Sequence, residues 1–426
     1  MIQTIRKAWN IPELRKKIVF TLLILLIYRI GNAIPVPYVD VGALSEYLNS
    51  MKTTVLGLYN VMSGGAFADA TVFALSIQPY INASIIIQLL TVAIPALERM
   101  AREEGEEGRK KIASITRYTT VGIGLIQGFA YYMLMRNQYN ILTNDSIAAA
   151  FVIIVTFVAG SAFIMWLGEQ ITEFGIGNGI SIILFASIIS RIPAGIGTMY
   201  SNREVLGVPG IVGILVGLLA LIVLITHVYN AERRIPVQYA KRQVGRKMYG
   251  GQSTTLPVKV NMSGVLPIIF AQSIAMLPAT IAAFLPAPQE GSFWYGFIQA
   301  IDTKSVLYML AYFLMIIGFS YFYATIQVNP TEIANNLKRN GGFIPGFRPG
   351  KPTADFIAKV LSRITLFGAI YLGIVAIAPL VASKFISISG LAIGGTSVII
   401  VVGVALETIK ALENQMLARQ YKGFLE

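Results

Sequence analysis

The chain has 426 residues, 55% hydrophobic and 13% charged, with 34 basic against 21 acidic side chains and a net charge of +13. A soluble domain carries about 25% charged residues, so this composition, with a mean hydropathy of +0.66, excludes an ordinary soluble protein. The lack of cysteine and the single histidine, His227, exclude disulfides, thiolate metal sites and cysteine nucleophiles.

The first segment, 1–17, places Arg6, Lys7, Arg15, Lys16 and Lys17 ahead of an apolar run. It imitates a signal peptide, but no small-residue cleavage pattern follows, so it reads as a cytoplasmic segment before a retained first helix at 18–36. Further runs long enough to cross a ~30 Å hydrocarbon core lie at 77–97, 116–135, 147–167, 180–192, 208–229, 265–285, 306–328, 361–381 and 391–411. The fifth of the ten runs is short and flanked by glycine. None shows the roughly ten-residue alternating pattern of a barrel strand, and lipid leaves helices as the other way to satisfy the backbone. The expectation is an all-α polytopic membrane protein with ten transmembrane helices. His227, beside Tyr229 and Asn230, reads as an interfacial residue.

Between the first and second runs, residues 56–73 read LGLYNVMSGGAFADATVF, apolar but broken by Ser63, Gly64, Gly65 and Asp69. The stretch is too short and too broken to span. Irregular backbone at membrane depth is tolerated only when buried in protein or lining a water cavity. It reads as a short re-entrant helix folded into an outward cavity, with an amphipathic surface helix as the alternative. Its low apolar content predicts a weakly held, displaceable element.

Basic residues set the orientation. With the amino terminus in the cytoplasm, the outward loops hold Lys52, Arg136, Arg191, Arg203, Lys304 and Lys384, and Arg29 lies near the outer end of the first run, leaving 27 of 34 inside. An even number of spans returns the tail, 412–426, to the cytoplasm. The longest loops, 231–261 and 329–359, fall on that side. The first carries Arg233, Arg234, Lys241, Arg242, Arg246, Lys247 and Lys259. The second carries Lys338, Arg339, Arg348, Lys351 and Lys359. Part of this charge is the topology signal itself, and headgroup contact is open to it. Length, glycine, proline and aromatics also suit protruding hairpins that dock an acidic partner or ribosomal RNA.

Enzymatic chemistry finds little purchase. Asp40, Asp69, Asp145, Asp302 and Asp355 all fall in loops or weak segments, so no intramembrane aspartate pair exists. GFRPGKP at Gly346 lacks the spacing of a phosphate loop, and Pro352 stands where a Ser or Thr would bind magnesium. Gly124/Gly128 and Gly213/Gly217 indicate close helix packing. A secondary transporter of small solutes is the serious alternative, yet it needs ionisable groups near the midplane. Glu169, Glu173 and Glu407 lie near span ends, while the middles offer isoleucine with scattered Gln, Ser and Thr. That suits a pathway sealed by apolar side chains, which gate by dewetting.

Six stretches, in order on this topology, resemble the SecY family. They are YRIGNAIPVP from Tyr28, NVMSGGAF from Asn60, IQPYINASIIIQLLT from Ile77, GEQITEFGIGNGISII from Gly168, RRIPVQYAKR from Arg233 and NPTEIANNLKRNGGFIPGFRPGKPT from Asn329. The resemblance covers essentially the whole chain. It implies two inverted halves, helices 1–5 in 18–192 and helices 6–10 in 193–411, around a central hourglass pore with a re-entrant plug helix. A lateral gate would open between the second and third helices on one side and the seventh and eighth on the other. The implied role is the central channel subunit of a protein translocase in the bacterial plasma membrane. Such a subunit conducts unfolded secretory polypeptides and releases transmembrane segments sideways, powered by a partner ATPase or the ribosome. The implied partners are SecE-like and SecG-like small membrane subunits, a SecA-type motor ATPase, the ribosome, signal peptides, nascent chains and membrane lipids. No cofactor, metal or catalytic residue is implied.

Residue by residue, the resemblance puts a pore ring on Ile77, Ile81, Ile180, Leu184, Ile269 and Ile400, with Ile399 the alternative to Ile400. The pairs 77/81 and 180/184 each share a helix face, and Leu184 replaces the commoner isoleucine while keeping its bulk. The plug would be 56–67, including Leu56, Tyr59, Asn60, Ser63, Gly64, Gly65 and Phe67. Gln88, Thr91, Gln127, Gln272 and Ser273 would form a polar seam whose hydrogen bonds, at roughly 1 kcal/mol each, hold the lateral gate shut. Motor and ribosome docking would use Arg233, Arg234, Lys241, Arg242, Arg246, Lys247, Lys338, Arg339 and Arg348, the last in PGFRPG.

Overall fold

The computed structural model describes residues 2–50, 55–102, 104–137, 141–239, 242–244, 247–249, 253–262, 264–284, 296–297, 300, 305–385 and 395–422. The chain opens with α1 (Ile2–Trp9) and α2 (Pro12–Gly31), whose Pro12 sits in the first turn, where no amide donor is needed. Two short helices follow, α3 (Val41–Ser50) and α4 (Val55–Met62). The second expected run is not one helix. α5 (Gln78–Ala93) stops before Pro95, and α6 (Pro95–Arg102) leaves at 106°. Proline lacks the amide and clashes with the preceding turn, so the helix cannot pass through it straight. Then come α7 (Gly105–Arg136), α8 (Ile147–Phe174), α9 (Gly179–Ile189), α10 (Ile192–Ser201) and α11 (Arg203–Asn230). The second half holds α12 (Leu266–Phe284), α13 (Val306–Gln327), α14 (Pro330–Arg339), α15 (Lys351–Phe385) and α16 (Gly395–Lys422).

Among the described residues, five helical stretches are long and apolar enough to cross a membrane, and six if the bent α5–α6 pair counts as one. The other four expected runs fall on α2, α7, α12 and α16. Of these, α2 carries Arg15, Lys16, Lys17 and Arg29, and α12 contains Pro278. Leu285 and residues 391–394, at the edges of two expected runs, lie outside the described residues. The outer surface is apolar: α11 exposes Val208, Leu215, Leu219 and Val223. Water would make such a face a liability; hydrocarbon makes it the expected exterior.

The all-helical expectation fails in the two long loops. Loop 231–261 forms β1 (Glu232–Tyr239), β2 (Arg242–Val244), β3 (Lys247–Tyr249) and β4 (Ser253–Lys259), and loop 329–359 supplies β5 (Gly342–Phe343). β4–β1–β5 make an antiparallel sheet with Ile235 opposite Leu256 and Gln238 opposite Phe343; β2 and β3 pair separately. The physical cause is period-two patterning: Ile235 and Val237 point inward between exposed neighbours. With Val258, Ile344, Ile357 and Leu361 they form a small core of their own. The two loops are therefore one platform. Helix α15 starts ten residues before the expected 361, because Ile357 belongs to that core. Helix α16 runs to Lys422, past the expected 411, because Leu412 packs with Ala8, Leu14 and Ile176.

The largest core gathers α2, α4, the turns of 63–77, α5, α7, α8, α9 and the facing sides of α12 and α16. A second core joins α11, α12, α13, α15 and α16 around Ile268, Tyr312, Leu372 and Ile399.

Candidate functional site

The broken stretch lies inside the largest core. Leu56 and Tyr59 of α4 are buried, and the Tyr59 hydroxyl donates to the Leu75 carbonyl (3.1 Å). The Asn60 side chain accepts from the Ala68 amide (3.0 Å). Ser63, fully buried, donates from Oγ to the Asn60 carbonyl and accepts from the Phe67 amide, both at 3.1 Å. Gly64 and Gly65 turn the chain at φ +70° and +97°, a region that L side chains resist. They abut Ser187, Ser190 and the Arg191 guanidinium at the end of α9; a Cβ on Gly65 would stand 2.7 Å from Arg191 Nη1.

Two tyrosines hold this element from outside it. Tyr28 of α2 shares a 2.6 Å hydrogen bond with Ser187 Oγ and reaches the Ser63 carbonyl at 3.4 Å. The Tyr131 hydroxyl of α7 donates to the Phe67 carbonyl, and its ring stacks on Phe67 with centroids 4.3 Å apart. In the resting structure the segment read from composition as weakly held is both bonded and packed. Hydrogen bonds from Tyr28 of α2 and Tyr131 of α7, close approach to the end of α9, and burial of Leu56, Tyr59, Met62 and Phe67 in the core hold it in place. Nothing in the sequence pattern singles out Tyr131, Ser187 or Arg191, whose roles depend on tertiary placement. Tyr131→Phe keeps the stack but leaves the buried Phe67 carbonyl with the Ala70 amide (3.3 Å) as its remaining donor, a loss of about 0.5–1.5 kcal/mol. The expected result is more frequent opening of the resting protein in single-channel records, with little change in the amount inserted.

All six expected ring residues converge on the same core. Ile77, Ile81, Leu184, Ile269 and Ile400 are at most 3% exposed, and Ile180 packs against them. Ile77 caps α5, and its carbonyl accepts from the Ile81 amide (3.1 Å), so the two stack one turn apart. Asn178 caps α9 by accepting from the Ile180 and Ser181 amides, which fixes where Ile180 and Leu184 point. Ile400 faces this core, whereas Ile399 faces the second one.

The gate candidates are arranged differently from the expected seam. Helix α12 touches both α5 and α7. Gln88 Nε2 donates to Ser84 (3.3 Å) and Thr91 Oγ1 to the Gln88 carbonyl (2.7 Å), both within α5. Such side chains readily bond back to their own helix. Gln88 also engages the Tyr323 hydroxyl of α13. Gln272 and Ser273 on α12 are buried. Gln272 Oε1, Ser273 Oγ and Gln127 Oε1 on α7 have no hydrogen-bond partner among the described residues. The five residues line the helix boundary without bonding across it to one another.

On the platform, Arg233 and Arg234 are exposed on β1, with Arg234 Nε 2.9 Å from Glu232. Lys338 and Arg339 end α14, exposed. Arg348 stands exposed in the turn before α15. Its carbonyl accepts from Thr353 Oγ1 (2.7 Å), and Phe347 packs on Phe356 beside it with centroids 4.1 Å apart. Arg242 and Lys247 lie in β2 and β3, while Lys241 and Arg246 lie outside the described residues. Among the described residues no group of three His, Asp or Glu side chains converges to hold a metal.

A family profile, SecY, matches residues 71–409. The chain belongs to the SecY family. It is 43% identical over 440 residues to the protein translocase subunit SecY of Streptomyces scabiei and 44% identical over 437 residues to that of Halalkalibacterium halodurans. Both matches cover 100% of each chain. Its fold resembles a structure described as a protein conducting channel (TM-score 0.67, 18% identity, 97% of each chain). It also resembles Sec61 in the canine ribosome-channel complex (TM-score 0.63, 17% identity, 97% of each chain). The two translocase-subunit relatives are matched over the full length of this chain.

Proposed function

We propose that this SecY-family chain is the channel subunit of a protein translocase, with unfolded polypeptides passing through a constriction formed by Ile77, Ile81, Ile180, Leu184, Ile269 and Ile400. The observation that carries this reading is the chemistry of the interior. Among the described residues the buried polar side chains are Ser, Thr, Asn and Gln, with no buried charge. Two of the three acids near span ends are engaged in pairs: Glu169 with Arg117 (2.9 Å) and Glu407 with Tyr229 (2.6 Å). A solute transporter coupled to ions finds no site here. A narrow aliphatic constriction does not hold a continuous water column, and it offers a passing chain nothing to bind.

Ten transmembrane helices in two inverted halves enclose the pore, with both termini in the cytoplasm of a bacterium and the chain in its plasma membrane. The segment 56–67 is the plug. The boundary between α5 and α7 on one side and α12 and α13 on the other is the lateral gate through which apolar helices and signal peptides leave for lipid. The unpaired oxygens of Gln127, Gln272 and Ser273 make that boundary cheaper to part than an apolar one. The platform docks a SecA-type motor and the ribosome, and SecE-like and SecG-like subunits complete the complex. The chain itself catalyses no reaction; the energy comes from its partners.

Deleting 60–65 tests the division of labour. Translocation should persist, because the ring remains, while resting conductance rises in planar bilayers. Complete loss of translocation, with the chain still inserted, would contradict a displaceable plug.

A further inference from the structure

Glu407 has no place in the channel reading, yet it sits at a junction. Tyr229, at the end of α11, donates to Glu407 Oε1 at 2.6 Å, and Lys410 Nζ lies 5.1 Å from the centre of the same ring. The carboxylate lies against Gly264, whose φ of +65° turns the chain from β4 into α12; a side chain at Gly264 would overlap Glu407 Oε1. One turn earlier on α16, Gly403 admits Val265, which any larger residue would strike. Asn261 Nδ2 closes the turn on the Gly264 carbonyl (3.1 Å).

The spacing links this junction to the constriction. Ile400, Gly403 and Glu407 fall at i, i+3 and i+7, one face of α16. Val265, just before α12, and Ile269 are one turn apart, with the Ile269 amide donating to the Val265 carbonyl (3.3 Å). Val265, Ile269, Ile400 and Val404 belong to one core. On the other side, β4 of the platform enters the same turn, anchored by the Val260 amide donating to the Ala231 carbonyl (2.9 Å) and by close approach of Val260 to Gly368 of α15.

We propose that Glu407 is a positioning residue of the constriction: with Tyr229 and Gly403 it seats the 264–265 turn on α16, sets Ile269 against Ile400, and joins the seal to the docking platform. A partly buried carboxylate that loses its donor must be rehydrated or re-paired. Freeing it frees the turn, and α12 with it. The proposal rests on the ring reading.

The test is resting conductance in planar bilayers, with the Ile81→Asn/Ile180→Asn channel as the leaky reference. Tyr229→Phe and Glu407→Ala should each raise the leak about tenfold, the scale of one lost charge-assisted hydrogen bond. Their combination should leak no more than the worse single variant, because they act as a pair. Glu407→Gln, which keeps an acceptor for Tyr229, should seal close to the parent. Tyr229→Phe removes one oxygen only, so it keeps the test open where Glu407→Ala fails to insert. A tight Tyr229→Phe channel, additive leaks, or Glu407→Gln as leaky as Glu407→Ala would overturn the clamp while leaving the ring in place. A reference channel that does not leak would remove the ring reading, and the clamp with it.

Discussion

Replacing Ile81 and Ile180 together with asparagine is expected to turn a sealed channel into a leaking one. Both residues belong to or pack on the core that contains the other four ring candidates, so in the proposed ring the change places two amides among aliphatic side chains. Amides hydrogen-bond water, the constriction wets, and the dehydration barrier to ions falls. Each 1.4 kcal/mol removed from that barrier is about tenfold in rate. The resting conductance should therefore rise by at least about that factor, and defective signal sequences should be discriminated less well. Single-channel recording decides it. An unchanged resting conductance would mean that these two side chains do not line the path.

Reversing the charge at Arg348 should abolish motor-driven translocation while leaving insertion intact. Arg348 is exposed, and its backbone carbonyl accepts from Thr353, so Arg348→Glu changes a surface side chain outside the platform core. A charge pair broken within an interface costs about 2–5 kcal/mol or more, and reversal adds repulsion. Precursor protection assays with a motor ATPase measure the outcome, and normal translocation by the variant would remove Arg348 from the docking surface. Binding of ribosomes to the same face should weaken as salt rises, because exposed charges are screened.

What the sequence makes legible here is what lipid imposes. A helix crossing hydrocarbon must be apolar for about 20 residues, so each expected run overlaps a described helix, although 18–36 lies five or six residues beyond the ends of α2 (Pro12–Gly31). The run 77–97 is broken at Pro95, a breaker masked by its apolar neighbours. Gly64 and Gly65 mark the turn after α4, because few other residues adopt their backbone angles. The bonds that hold that turn are another matter. Tyr28, Tyr131 and Ser187 are 35 to 124 residues distant from Ser63 or Phe67 along the chain, and no local pattern reports such a meeting. The platform sheet was hidden for a different reason. The alternation of Ile235 and Val237 is only a few residues long, and the surrounding arginines and lysines read first as topology. Periodicity alone leaves Ile399 and Ile400 equivalent. Packing separates them, since adjacent residues on a helix face different cores.

The central claim, that this chain passes polypeptides, is tested most directly by reconstituting it with its small subunits and motor ATPase in vesicles and adding a secretory precursor. The account predicts precursor that becomes protected from external protease only when ATP is present, and protection that disappears with Arg348→Glu. No protected precursor, together with a small solute accumulating against an ion gradient, would contradict it.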